Sequence, residues 1–134
     1  MSRGPSVTVR QVGPSTGEGF VRGHSQLIDR PESKGGADRG PMGGELILLG
    51  LGGCFMSNLL AAIREREAPV SNVELIVSAR SEGTPARMTD FEIRVSAEHN
   101  DPTFMRKLAT IAERGCIVSN TLKQGSSISV IVED

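Results

Sequence analysis

One segment governs how this chain can fold: ELILLGLGGCFMSNLLAAI, the apolar run from Glu45 to Ile63. It approaches the length of a membrane span. Its three glycines, its Ser57–Asn58 pair and the charged tail that begins at Arg64 fit a buried core helix better. Glu45 in the first turn and Arg64 and Arg66 in the last suit the helix dipole. Pro69 prevents much continuation. A single long helix over Glu45–Arg66 is therefore expected, with no membrane partner.

The rest of the chain alternates between strand and helix signals. Val7–Val12 reads as a strand followed by a turn at Gly13–Gly17, and Gly19–Ile28 holds one or two further short strands. Together these predict an N-terminal β-meander. Arg30–Gly44 is rich in Gly, Pro and charge and has no periodicity, so it reads as a long functional or disordered loop. Beyond the central helix, Asn72–Arg80 and Met88–Ala97 each alternate apolar and polar residues, which predicts a β-hairpin with one wet face. Asp101-Pro102 is an N-cap followed by an N1 proline. A helix from Pro102 to Arg114 places Phe104, Leu108, Ile111 and Ala112 on one face. Cys116–Leu122 reads as a short helix or turn ended by Gly125, and Ser127–Val132 as a final strand. The fold class is α+β, in one domain spanning residues 1–134.

Composition excludes several function classes. The formal net charge is −1 and there is no Trp or Tyr, so neither a basic stripe nor stacking platforms point to nucleic acid. So few large aromatic side chains give a small core, and an oligomer is expected. Met1–Gln11 lacks the apolar core of a secretory signal, and two cysteines without one fit a reducing cytoplasm. His24 and His99 are far apart and no CxxC or HxxxH spacing occurs, so no metal site is expected. The glycine stretches match no nucleotide-binding motif, and no cofactor is indicated.

Chemistry then rests on two cysteines. Cys54 sits inside the central helix just after Gly50, Gly52 and Gly53. Each glycine costs about 1 kcal/mol relative to Ala in a helix interior, so the cluster implies close approach of another backbone or of a substrate. Inert core packing remains the plain alternative for Cys54, as it does for Cys116. The chemical reading makes Cys116 a resolving thiol that attacks Cys54 after its oxidation to the sulfenic acid. Glu45 lies about two and a half turns before Cys54. It is either a helix-start carboxylate or the partner of a cation that lowers the thiol pKa. Arg22, Arg30 and Arg39 are the candidate cations, and Arg39 is carried forward.

Two stretches, DRPESKGGADRGPMGGELILLGLGGCFMSNLLAA and ERGCIVSNTLKQG, together resemble the OsmC/Ohr family of thiol-dependent hydroperoxide reductases. The resemblance covers nearly the whole chain, most firmly from Asp29 to Ala62 and from Glu113 to Gly125. It implies an α+β OsmC-like fold and an intertwined homodimer with active sites at the subunit interface. It implies a peroxidatic role for Cys54, a resolving role for Cys116, an organic hydroperoxide substrate and a dithiol reductant. In the well-studied branches a proline precedes the catalytic glutamate; here Gly44 precedes Glu45, and VGPSTGEG occupies the turn where those branches carry an arginine. A non-catalytic dimer that binds a small apolar ligand or senses redox state is the alternative on the same fold.

Overall fold

Turn chemistry organises the first strands. In the computed structural model, which describes residues 3–133, β1 (Thr8–Gln11), β2 (Gly17–Val21) and β3 (His24–Ile28) form an antiparallel sheet in that order. Arg22 and Gly23 connect β2 to β3 with φ of 48° and 84°. Positive φ at both central residues gives a two-residue turn whose twist matches that of the flanking strands. Val21 therefore pairs with His24, and the register runs on to Gly17 opposite Ile28. Between β1 and β2 the Val12 N–H donates to the Thr16 carbonyl, closing the other connection. The expected meander is present.

The chain divides between Ile47 and Leu48 into two compact units. In the first, the loop after β3 is ordered and includes a short 3-10 turn at Glu32–Lys34. A Cβ on Gly36 would collide with the Arg30 carbonyl, and one on Gly40 with the Leu27 carbonyl. The glycines that suggested disorder are thus the residues that let this loop fold back on itself.

Helix α1 (Gly43–Glu65) starts two residues earlier than expected. In the second unit, α1 contributes Leu51, Phe55, Leu59 and Ala62 to the core. It is long and apolar enough to cross a membrane by length and composition, yet this stripe of side chains packs against protein. Facing it are β4 (Ser71–Glu82) and β5 (Arg87–Glu98), paired antiparallel with Leu75 opposite Val95 and Val77 opposite Ile93. Their half-buried positions alternate with exposed ones, as a sheet covered on one face requires. Helix α2 (Pro102–Arg114) is N-capped by Asp101, whose carboxylate accepts from the Thr103 and Phe104 N–H groups. It buries Met105, Leu108 and Ala112, while Phe104 and Ile111 sit at the margin of the core. Helix α3 (Ile117–Gln124) follows after one corner and ends at Gly125. Leu59, Leu108 and Cys116 are the largest side chains with no solvent exposure.

One expected element is absent. Ser127–Val132 carries no regular secondary structure, and Ile128 is 91% exposed. The alternating apolar pattern is that of a strand, but among the described residues no strand hydrogen-bonds to it. The α+β class holds without it.

Candidate active site

The second unit brings the two cysteines together. Asn58, one turn beyond Cys54 on the same face of α1, donates from its side-chain nitrogen to the Ala112 carbonyl of α2 at 3.3 Å. The same amide packs against Gly115, where a Cβ would stand 3.3 Å from its nitrogen. The corner between α2 and α3 is thereby held against the helix that bears Cys54. Cys116 forms that corner as the N-cap of α3, with φ −79° and ψ 107°.

The free N–H groups of α3's first turn can be accounted for individually. The Cys116 N–H donates backward to the Glu113 carbonyl, and the Asn120 N–H makes the first bond within α3, to the Cys116 carbonyl. That leaves Ile117, Val118 and Ser119 without partners inside the helix. The Ser119 N–H donates to Cys116 Sγ at 3.4 Å. The Val118 and Ile117 amides favour the charged form of Cys54, and the Val118 amide also favours that of Cys116. The amides of this first turn thus bear on both sulfurs.

This division sets the two thiols apart. Burial opposes ionisation of Cys54, but the Val118 amide, the Cys116 thiol and the Ile117 amide outweigh it, and the pKa of Cys54 is lowered. Burial also opposes ionisation of Cys116. The Ser119 amide and, more weakly, the Val118 amide offset part of that, the hydrogen bond to Cys54 and the charge there add to it, and the pKa of Cys116 is raised. Cys54 is half-buried and Cys116 wholly buried, and both are free thiols. Ionisation is thus favoured at the half-buried Cys54 and opposed at the buried Cys116.

The glycines before Cys54 have separate surroundings. A Cβ on Gly52 would lie 2.9 Å from Val77 Cγ2, so this glycine lets α1 close on β4. Gly50 and Gly53 face open space. A cavity of about 530 Å³ opens between α1, β5, α2 and α3, lined by Leu51, Phe55, Phe91, Ile93, Val95 and Leu122 among others.

Glu45 and Arg39 have other partners, within the first unit. The Glu45 carboxylate accepts from the Met42 N–H at 2.8 Å, capping the start of its own helix. The Arg39 guanidinium lies beside the Gly13–Thr16 turn, and the Arg39 N–H donates to Asp29 at 3.3 Å. Asp29 is the organising residue of this region and was not singled out by sequence reasoning. It is 3% exposed and accepts from the Thr16 hydroxyl at 2.7 Å and from the Arg30 and Ala37 amides. The Thr16 hydroxyl, with the Arg30 amide, the Ser15 side chain and the Arg39 amide, overcomes burial and holds the carboxyl far below the usual carboxylate range. The Asp29 N–H also donates to the Pro41 carbonyl, which ties both ends of the loop.

Known proteins with this architecture were compared by sequence and by shape. No curated protein matches the chain in sequence. A hypothetical protein from Aquifex aeolicus superimposes with a TM-score of 0.78 at 13% identity, covering 93% of this chain and 91% of that one. An OsmC-like protein from Mycoplasma pneumoniae gives 0.75 at 15% identity, covering 92% and 89%. An organic hydroperoxide resistance protein from Elizabethkingia anophelis gives 0.71 at 17% identity, covering 92% and 90%. At such identities the likeness establishes the fold. The sequence profile described as OsmC-like protein matches residues 35–131, a span that includes both cysteines, Asn58 and all of α3. The chain therefore belongs to the OsmC-like protein family.

Proposed function

We propose that the protein is a thiol-dependent hydroperoxide reductase acting on organic hydroperoxides. The observation that carries this reading is the opposite displacement of two adjacent thiols, Cys54 toward the thiolate and Cys116 away from it. The Cys54 thiolate attacks the terminal oxygen of the hydroperoxide and the O–O bond breaks. Sulfur gains the hydroxyl as a sulfenic acid, and the alkoxide takes a proton and leaves as the alcohol. Cys116 then attacks the sulfenic sulfur, the S–S bond forms and water departs. A dithiol reduces the disulfide and is itself oxidised to one. Membership of the family, and the organic hydroperoxide resistance named for the Elizabethkingia protein, support the substrate class.

The experiment is consumption of cumene hydroperoxide or tert-butyl hydroperoxide with dithiothreitol or dihydrolipoamide as reductant. Wild type turns over. Cys54→Ser does not, and Cys116→Ser reacts once and stalls as the sulfenic acid. Absence of turnover by wild type with either reductant would sink the proposal. The apolar cavity beside α3 favours a second reading, in which the same fold binds a small apolar ligand. A wild type that binds an apolar fluorescent probe there but consumes no hydroperoxide selects it.

The working form on this reading is a homodimer. Ile128, Val130, Ile131 and Val132 are all more than four-fifths exposed, and on α1 Leu49 and Leu60 also face outward. A segment with strand patterning that finds no partner strand among the described residues is suited to pairing with a sheet edge of a second copy. Sedimentation of wild type is expected to give a dimer, and truncation after Gly125 a monomer. A wild-type monomer at micromolar concentration contradicts this assignment.

A further inference from the structure

We propose that the cavity between α1, β5, α2 and α3 binds an uncharged, largely apolar molecule that carries one hydroxyl, and that the Ser119 hydroxyl is the group that selects it. Cys54 does not line this cavity. The inference therefore holds whether or not that thiol reacts with hydroperoxides.

Ser119 carries the argument. It is the third residue of α3 and is 8% exposed. A hydroxyl inside a helix can donate to the carbonyl four residues back. Thr110 does so to Arg106, and Thr121 to Ile117. For Ser119 that carbonyl belongs to Gly115, which lies ahead of the N-cap and outside α3. A side chain at the third position can instead accept from the N–H of the N-cap residue. Here the Cys116 N–H donates to the Glu113 carbonyl. The Ser119 N–H is engaged with Cys116 Sγ at 3.4 Å, but its hydroxyl has no hydrogen-bonding partner among the described residues. No side-chain polar atom among them is both sealed from solvent and unpartnered. The Ser119 oxygen therefore keeps access to open space, and the cavity is the space that Ser119 lines.

The walls define what can meet that hydroxyl. Leu51, Phe55, Phe91, Ile93, Val95 and Leu122 border a volume of about 530 Å³, within the range of small-molecule pockets. An apolar molecule removes this surface from water, and one hydroxyl on it gives Ser119 its missing partner. The charged residues of the lining are Glu92, Glu113 and Lys123. Each already has an opposite charge beside it: Glu92 pairs with Arg94, and Glu113 with Lys123. A charged ligand would give up its hydration against apolar walls and meet no free counter-charge among the described residues. The occupant is therefore neutral.

Benzyl alcohol, toluene and benzoate share one carbon skeleton and differ in the polar group, so they separate these requirements. Each is titrated into the reduced full-length protein and followed by methyl NMR. Benzyl alcohol is expected to shift the Ile93, Val95 and Leu122 methyl groups together and to saturate. Ser119→Ala should weaken benzyl alcohol by about tenfold, the loss of one hydrogen bond, and leave toluene unchanged. Benzoate should bind at least about tenfold more weakly than the alcohol. Alcohol and toluene affinities that change alike in Ser119→Ala overturn the proposal, as does benzoate binding as tightly as the alcohol. Absence of any saturable shift also overturns it, since the cavity is then closed, as a second copy seated on it would close it. If Ser119→Ala does not fold, wild type decides. Nuclear Overhauser contacts from the benzyl alcohol methylene to the Ser119 β-protons support the assignment, and contacts elsewhere contradict it. No arm contains a hydroperoxide, so a failure of peroxidase activity and a failure of this inference are separately visible.

Discussion

Asp29 and Cys54 are acceptors held in similar ways, yet they serve opposite ends. The Asp29 carboxylate accepts backbone N–H groups of its own loop and the Thr16 hydroxyl, while the charged form of Cys54 is favoured by the Val118 and Ile117 amides and the Cys116 thiol. The carboxylate is held far below its usual range and is ionised at any working pH. It has no proton to trade and only holds its loop in shape. The thiol starts from a much higher intrinsic pKa, and its surroundings move that pKa downward. The fixed charge in the first unit holds structure, and the thiol in the second is the group the proposed function needs.

The strongest way to break that comparison is to exchange the expected losses. Asp29→Ala removes the acceptor for Thr16, Arg30, Ala37 and Arg39 together, and it is expected to cause the largest loss of stability of any substitution considered. Thermal unfolding and hydrogen exchange at the Ala37 and Arg39 amides measure it. Cys54→Ser should leave the melting temperature nearly unchanged while ending thiol chemistry. An Asp29→Ala protein as stable as wild type would show that the loop is held by something else.

Acid provides a graded version of the same test. The folded-state pKa of Asp29 is depressed, so its contribution to stability is fully present above the unfolded value of about 3.9 and is lost as pH falls below that. Urea unfolding at pH 7, 4.5 and 3 should show stability falling mainly over the last interval. Asp29→Asn, already weakened at pH 7, should have a flatter acid limb. The alkylation of Cys54 should instead change at the other end of the scale, rising with pH as its thiol ionises, and at a lower pH than an ordinary cysteine.

Asn58→Ala is expected to have the next largest effect. It leaves the carbonyl of the buried Ala112 without its side-chain donor, a loss of about 1–3 kcal/mol. Because the same contact fixes the corner that carries Cys116, oxidation to the Cys54–Cys116 disulfide should also slow. Denaturant unfolding reads the first effect, and non-reducing mass analysis after one equivalent of hydroperoxide reads the second. Lost stability with an unchanged rate of disulfide formation would make Asn58 a packing residue alone.

These residues also mark where sequence reading succeeds. Local signals were legible: the alternation in β4 and β5, the Asp101-Pro102 start of α2, and the Gly125 stop of α3. Each depends on residues a few positions apart. Asp29 and Asn58 were illegible as organisers because their partners are distant in sequence, Thr16 and Ala37 for one and Ala112 for the other. The two cysteines were visible as candidates, but the opposite shifts of their pKa values depend on burial and on their mutual proximity, which the sequence does not display. Ser127–Val132 has the strand pattern without the strand, because patterning specifies which side chains face together and not which edge receives them.

The smallest expected effect tests the open side of the reacting thiol. Gly52 is packed beneath Val77, so Gly52→Ala forces α1 and β4 apart and destabilises the chain. Gly53 immediately precedes Cys54, and a Cβ there meets nothing within 4 Å. In a helix interior, alanine in place of glycine lowers the entropy lost on folding, a gain of about 1 kcal/mol. Gly53→Ala is therefore expected to raise the unfolding free energy measured in urea by that amount, with the opposite sign to its neighbour. A loss of stability instead would mean that a second copy closes on this face of α1 in the working protein. A gain in stability accompanied by slower hydroperoxide consumption would mean that the substrate approaches Cys54 across the bare backbone of Gly53. In that case the cost of glycine in this helix is offset by access to the sulfur.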